Sequence, residues 1–218
     1  MVRKVKNTLF PLQIKDVFQP LPGSYGPEII PIFVCFHKRF AMRHRKRKNE
    51  ELGRLSPEEY RRAQKFPVTL VLDNVRSLNN IGSVFRTADG FRVEEVLLCG
   101  ITATPPHREI RKTALGATDA VPWRYFSHTR QAVDDLREKG YHLVAVEQAE
   151  ESIPLNRFSP RPGRKYALIF GHEIRGVEQK IVSMSDTVIE IPQFGTKHSF
   201  NIAVSVGIVL WDFYTKLR

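Results

Sequence analysis

Apolar residues in the later part of the chain come in short, nearly unbroken runs: Val68–Leu72, Val96–Cys99, Leu143–Val146, Ala167–Phe170 and Val188–Ile191. Runs of strand length without regular polar alternation predict strands buried on both faces. Segments of helical length separate them: Ile81–Phe91, Glu109–Leu115, Thr129–Lys139, Val177–Met184 and Ser199–Leu217. Strands alternating with helices predict an α/β domain, a mostly parallel sheet covered by helices on both faces, with ligands beyond the carboxyl ends of the strands. The last segment is ambiguous, because Phe200, Ile202, Val204, Val206 and Ile208 alternate as a strand would. Its length argues for a helix, apolar almost all round and so buried in a core or an interface.

Ahead of Pro67 the pattern is different. Five of the 14 prolines (Pro11, Pro20, Pro22, Pro27 and Pro31) fall in the first 31 residues, which predicts an irregular stretch over 1–36. Residues 41–65 turn helical in composition, with Ser56-Pro57-Glu58-Glu59 a good helix start, and their polarity suggests exposed helix rather than core. The chain is therefore divided into an extension, 1–66, and a domain, 67–218.

Charge follows the same division. The net charge is +11; residues 1–66 carry 15 basic and 6 acidic side chains, residues 67–218 carry 19 and 17. The surplus is densest at His37–Lys48 and favours a polyanion, of which a phosphate backbone is the commonest. A solvated tail or an acidic membrane surface would also suit it. No stretch approaches the roughly 20 apolar residues of a bilayer-spanning helix. The early run Ile29–Phe36 is broken by Pro31 and lacks a small-residue cleavage site, which argues against a secretory signal. Two cysteines, Cys35 and Cys99, suit a reducing compartment, and a cytoplasmic protein is expected.

Several chemistries are missing. No two glycines stand two apart, so the dinucleotide fingerprint cannot occur. Gly171 and Gly176 have P-loop spacing, but Val177 stands where a lysine must neutralise phosphate. Ala203-x-Ser205-x-Gly207 approximates a nucleophile elbow inside an apolar segment, where a packed serine is the better reading. Histidine and cysteine spacings do not suit zinc, and no metal is expected.

Three clusters remain, each after a strand. Asn74–Ala88 carries Asn79 or Asn80 near a helix start, where either could cap, and Arg86, which could project back over the strand end or pair with Asp89 or Glu94. Ala167–Val177 runs into Gly-x-Glu-x-x-Gly, with Glu173 the carboxylate at the strand end and glycines that let a ligand approach the backbone, or simply make a turn. Ile189–Ala203 leaves its strand through a Pro/Gly loop and meets Ser199, an apparent N-cap at a positive helix end.

Together, and in this order, the clusters resemble the TrmH family of SPOUT-class RNA methyltransferases over nearly all of 67–218. Asn80 through Arg86 to Ala88 is similar to its first motif, Phe170-Gly171-His172-Glu173-x-x-Gly176 to its second, and Ile191-Pro192-x-x-Gly195-x-x-x-Ser199-Phe200-Asn201 to its third. Phe200 stands where the family has leucine, and Gln193 where methionine is usual.

The resemblance implies transfer of a methyl group from S-adenosylmethionine to a ribose 2′-hydroxyl of tRNA or rRNA, a C-terminal trefoil knot holding the cofactor, and a homodimer in which two subunits complete each site. By the same resemblance Gly171, Ile191 and Phe200 contact the cofactor, Arg86 activates the hydroxyl, and Asn80, Glu173, Ser199 and Asn201 position it or shape the pocket. A guanidinium keeps its proton, so Arg86 suits polarising the hydroxyl better than general-base work. Arg108, Arg111 and Lys112, with Arg157, Arg161, Arg164 and Lys165, could contact RNA phosphates or be solvated surface. A catalytically inert RNA-binding protein and a base methyltransferase stay open as alternatives.

Overall fold

The structure, a computed structural model, describes residues 45–218. The expected irregular stretch over 1–36 and most of the basic run lie outside the described residues. A 3-10 helix spans Asn49–Leu52, and Gly53–Arg218 form one compact unit. That unit begins ahead of Pro67, where composition changes. Its first helix, α1 (Pro57–Arg62), starts at Ser56 with a reciprocal cap: the Ser56 hydroxyl accepts from the Glu59 N–H, and the Glu59 carboxylate accepts from the Ser56 N–H at 2.7 Å. The expectation that this segment stays out of the core is corrected at Tyr60, which is only 3% exposed and joins the main apolar cluster.

Seven strands build one sheet: β1 (Phe66–Asp73), β2 (Val93–Cys99), β3 (Trp123–Phe126), β4 (His142–Val146), β5 (Ile153–Pro154), β6 (Tyr166–Phe170) and β7 (Thr187–Glu190). Their order is β3-β2-β1-β6-β4-β7-β5, and every pairing is parallel. Six helices complete the unit: α2 (Leu78–Phe91), α3 (Arg108–Ala114), α4 (Ala117–Ala120), α5 (Thr129–Glu138), α6 (Gln179–Met184) and α7 (Ile202–Leu217).

Both sheet faces are covered. Leu70, Leu72, Val96, Leu98, Leu168 and Phe170 share one cluster with residues of α2, α3 and α7. Val71, Leu97, Leu143, Ala167 and Ile169 point the other way, into a cluster with α5 and α6. Alternate residues of one strand enter opposite cores, so the strands read as continuous apolar runs.

The edges are less apolar. β3 is half-exposed, and its Arg124 bridges Glu95 at 2.8 Å and Asp135 at 2.9 Å. β5 is a two-residue strand.

Two helix starts differ from expectation. Ser77, not Asn79 or Asn80, caps α2, accepting from the Asn80 N–H. Asn201, not Ser199, caps α7, accepting from the Ala203 N–H at 2.9 Å. In each case more than one neighbouring residue can cap, and the one immediately before the first helical residue does so. Asn80 thereby sits in the first turn, with its side chain left for another partner.

Candidate functional site

The carboxyl ends of β4, β6 and β7 open into a cavity of about 450 Å³. Its apolar wall includes Val146, Phe170, Ile191 and Ile202; its polar lining includes Glu147, Gln148, Glu173, Glu190, Ser199 and Asn201. Gly171, Ile191 and Phe200 all line it, as do Glu173, Ser199 and Asn201. Asn80 does not line it, but reaches it through hydrogen bonds.

Glu173 is the centre of those bonds. One carboxylate oxygen accepts from the Ser77 N–H at 2.9 Å and from the Asn80 amide at 3.3 Å; the other accepts from the Arg76 N–H at 3.2 Å. Asn80 in turn accepts from the Asn201 amide at 3.1 Å. Both amide orientations are fixed at the ends of this relay. Glu173 can only accept, so the Asn80 NH₂ must face it; the Ala203 N–H can only donate, so the Asn201 oxygen must face that. Residues separated by 93 and 121 positions in sequence thus meet in one directed chain.

Partial burial alone would raise the Glu173 carboxyl; N–H groups of Glu173 itself, Ser77 and Arg76 and the Asn80 amide outweigh it and hold the group below its usual range. It is a carboxylate at neutral pH.

The loop after β6 is tightly drawn. His172 and Gly176 exchange backbone hydrogen bonds of 3.0 and 2.8 Å. A Cβ at Gly171 would collide with the Gly176–Val177 backbone, and one at Gly176, where φ is +67°, with the Glu147 carboxylate. These glycines therefore let the chain approach itself, where the sequence suggested room for a ligand. At the end of β1, the buried Asp73 accepts from the Thr129 hydroxyl at 2.5 Å and the Glu178 N–H at 2.9 Å, tying β1 to α5 and to the same loop.

Two residues of the cavity wall escaped the sequence reading. Glu147, just past β4, accepts from the Val177 N–H at 2.8 Å, and Gln148 donates to the His198 carbonyl at 2.7 Å. The pair fixes both loops that wall the cavity. Their signal was positional: they follow a predicted core strand directly, where α/β sheets place ligand sites.

Arg86 lies elsewhere. It is exposed on α2 and absent from the cavity wall. At about 100° per residue, six residues past Asn80 put it on a different flank of the helix. The alternative pairing with Glu94 is not formed, since Glu94 is paired with Lys165 at 2.8 Å. Arg108, Arg111 and Lys112 are exposed on α3. That helix meets α2 closely, since a Cβ at Gly82 would strike Thr113 and the Ile110 carbonyl. Ser205 lies within α7 but is half-buried rather than packed in a core: it lines the cavity and donates to the Asn201 carbonyl. Among the described residues no three His, Cys, Asp or Glu side chains converge as metal ligands, and no helix is long and apolar enough to cross a membrane.

Known proteins are similar to this chain in sequence and fold. The 23S rRNA (guanosine-2'-O-)-methyltransferase RlmB of Neisseria meningitidis is 28% identical over 144 residues, 66% of this chain and 56% of its own length. The tRNA (guanosine(18)-2'-O)-methyltransferase of Borreliella burgdorferi is 26% identical over 151 residues, 69% of this chain and 67% of its own. The AdoMet-bound rRNA methyltransferase from Sinorhizobium meliloti matches with a TM-score of 0.66 at 27% identity, over 76% of this chain and 62% of that one. The A. aeolicus TrmH/SpoU tRNA modifying enzyme, 22% identical, shares the fold with a TM-score of 0.64 over 73% of this chain and 81% of that one. The chain thus spans a little over half the length of the Neisseria protein. The SpoU rRNA Methylase family itself matches residues 67–211, and to that family this chain belongs.

Proposed function

We propose that the protein transfers a methyl group from S-adenosylmethionine to a ribose 2′-hydroxyl of tRNA or rRNA. The observation that carries this reading is the Glu173–Asn80–Asn201 relay at the wall of a 450 Å³ cavity. It unites all three motifs of a family whose relatives are named as ribose methyltransferases.

The cavity fits the donor. Its volume lies in the range of small-molecule sites, and its apolar wall suits an adenine ring. Gly171, Ile191 and Phe200 offer backbone groups there, and the carboxylates Glu147 and Glu190 suit the positive charge of the donor. S-adenosylmethionine supplies an electrophilic methyl on a sulfonium. The ribose oxygen forms the new bond to that methyl as the carbon–sulfur bond breaks, and the hydroxyl proton is lost. The protein has then to align the hydroxyl and favour loss of its proton. Ionised Glu173 holds Asn80, Asn80 holds Asn201, and Asn201 caps α7 beside Ser199; the relay gives the pocket one fixed shape.

Arg86 has no carboxylate partner among the described residues and stands off its own cavity. We place it in the site of a second copy of the chain, where its guanidinium polarises the hydroxyl. A homodimer is supported by α7, which leaves Val204 (50%) and Trp211 (59%) exposed on an otherwise apolar helix. A trefoil knot is part of the same reading. Its support is that β7 enters the sheet between two earlier strands, β4 and β5, before the chain returns as α7 to pack on α2. Arg108, Arg111, Lys112 and the basic extension then grip RNA phosphates in the cytoplasm, a setting that suits the buried free thiol of Cys99.

Titration calorimetry with S-adenosylmethionine should give saturable binding, and the protein should label tRNA or rRNA from cells lacking it with tritiated methyl. Labelled linkages should resist alkali, because a 2′-O-methyl blocks cleavage. Donor binding with alkali-sensitive label would move the reaction to a base, and no label at all would end the reading.

A further inference from the structure

Two large apolar side chains stand almost fully in solvent on the loops that wall the cavity. Phe194 is 96% exposed and Ile174 is 84% exposed. Ile174 itself lines the cavity, and Phe194 follows the lining residue Gln193. Neither belongs to a core cluster. A Cβ at Gly195 would meet nothing within 4 Å, so the loop flank beside Phe194 is open as well. A bare phenylalanine is tolerated singly on any surface; here two such residues border one site, which marks a contact surface.

The neighbours indicate what covers it. Exposed Arg175 follows Ile174, and exposed Lys197 and His198 follow Phe194. The centre of a protein–protein contact is depleted in charge. Flat apolar surface interleaved with cations fits a nucleotide, whose base stacks while its phosphate pairs. The reaction chemistry gives the same location. The 2′-carbon is bonded to the carbon that carries the base, so a ribose presented at the cavity keeps its base within three bonds of the reacting oxygen, near the mouth these loops form.

We propose that Phe194 is the stacking platform for the base of the target nucleotide, with Ile174 adding apolar surface and Arg175 and Lys197 taking flanking phosphates. This rests on the methyltransferase reading above. It makes Phe194 a substrate-contacting residue at an unassigned position within the third motif, where side-chain choice tunes which nucleotide is held.

The test compares wild type with Phe194→Ala, Phe194→Trp and Phe194→Leu, using tRNA and rRNA fractions from cells lacking the protein as methyl acceptors. Phe194 is 96% exposed and joins no core cluster among the described residues, so the variants should fold as wild type does. Phe194→Ala should keep its calorimetric affinity for S-adenosylmethionine and its sedimentation coefficient, while the half-saturating RNA concentration rises about tenfold or more. Phe194→Trp should restore it, and Phe194→Leu, apolar but without a π face, should not. An unchanged half-saturation in Phe194→Ala overturns the inference alone. So does full recovery in Phe194→Leu, or loss of self-association in Phe194→Ala, which would assign the side chain to a second copy of the protein. A wild type that binds the donor yet labels neither RNA fraction overturns the functional reading and this inference with it.

Discussion

Glu173 binds by its charge as much as by its shape. Its oxygens accept from two backbone N–H groups and one amide, and bonds to an ionised acceptor are about twice as strong as neutral ones. Because its carboxyl is held below the unfolded value of about 4.3, its stabilisation is complete above that pH. It is lost as pH falls through the lower, folded value. Glu173→Gln replaces one acceptor with an NH₂ that faces other donors. We expect a loss of about 1–2 kcal/mol and a Tm lower by roughly 3–8 °C at pH 7. The gap to wild type should narrow on acidification, and thermal unfolding between pH 3 and 7 reads it; a constant gap would deny the carboxylate its part. Glu173, Asn80 and Asn201 were legible in the sequence, as types and spacings carried by a family resemblance. Their hydrogen-bond order was not. Which of Ser77, Asn79 and Asn80 caps α2 depends on where the first turn begins, and neighbouring residues with similar capping power leave that open.

At the scale of elements, the pocket is held by a strand end. Glu147 and Gln148 clamp the loops after β6 and β7, and neither loop has regular structure to hold its own shape. Gln148→Ala should weaken S-adenosylmethionine binding by roughly threefold to tenfold, the worth of one hydrogen bond, with the rate at saturating donor preserved. Calorimetry beside steady-state methylation separates the two, and an unchanged donor affinity would reject the clamp. Five core strands could be read from the sequence, because burial on both faces writes them as apolar runs. β3 and β5 could not. Trp123-Arg124-Tyr125-Phe126 is an edge strand with its charge inside an ion-pair network, and Ile153-Pro154 is too short to show a period.

At the scale of the whole molecule, the position of Arg86 makes a quantitative demand. Arg86→Ala should bind donor normally and fail to methylate. If each site takes Arg86 from one subunit and Asn201 from the other, mixing Arg86→Ala with Asn201→Ala should recover about a quarter of wild-type activity. Half the dimers are then mixed, and each has one intact site. No recovery after subunit exchange would put Arg86 in its own subunit's site. The basic extension adds a separate expectation. Deleting residues 1–50 should weaken RNA binding and flatten its dependence on salt, measured by filter binding at several salt concentrations; parallel salt slopes would remove the extension from RNA contact.

The strand order carries a cost during synthesis. β1 and β4 are each hydrogen-bonded to β6, and nothing else joins the two halves of the sheet at that seam. The ribosome finishes β1 about 100 residues before β6, a wait on the order of 5–20 s at cellular elongation rates. Throughout it the nascent chain presents an unpaired, apolar strand edge, the kind of surface that recruits other chains. Arrival of Tyr166–Phe170 closes that edge and joins the halves in one step, which makes these five residues the latch of the domain.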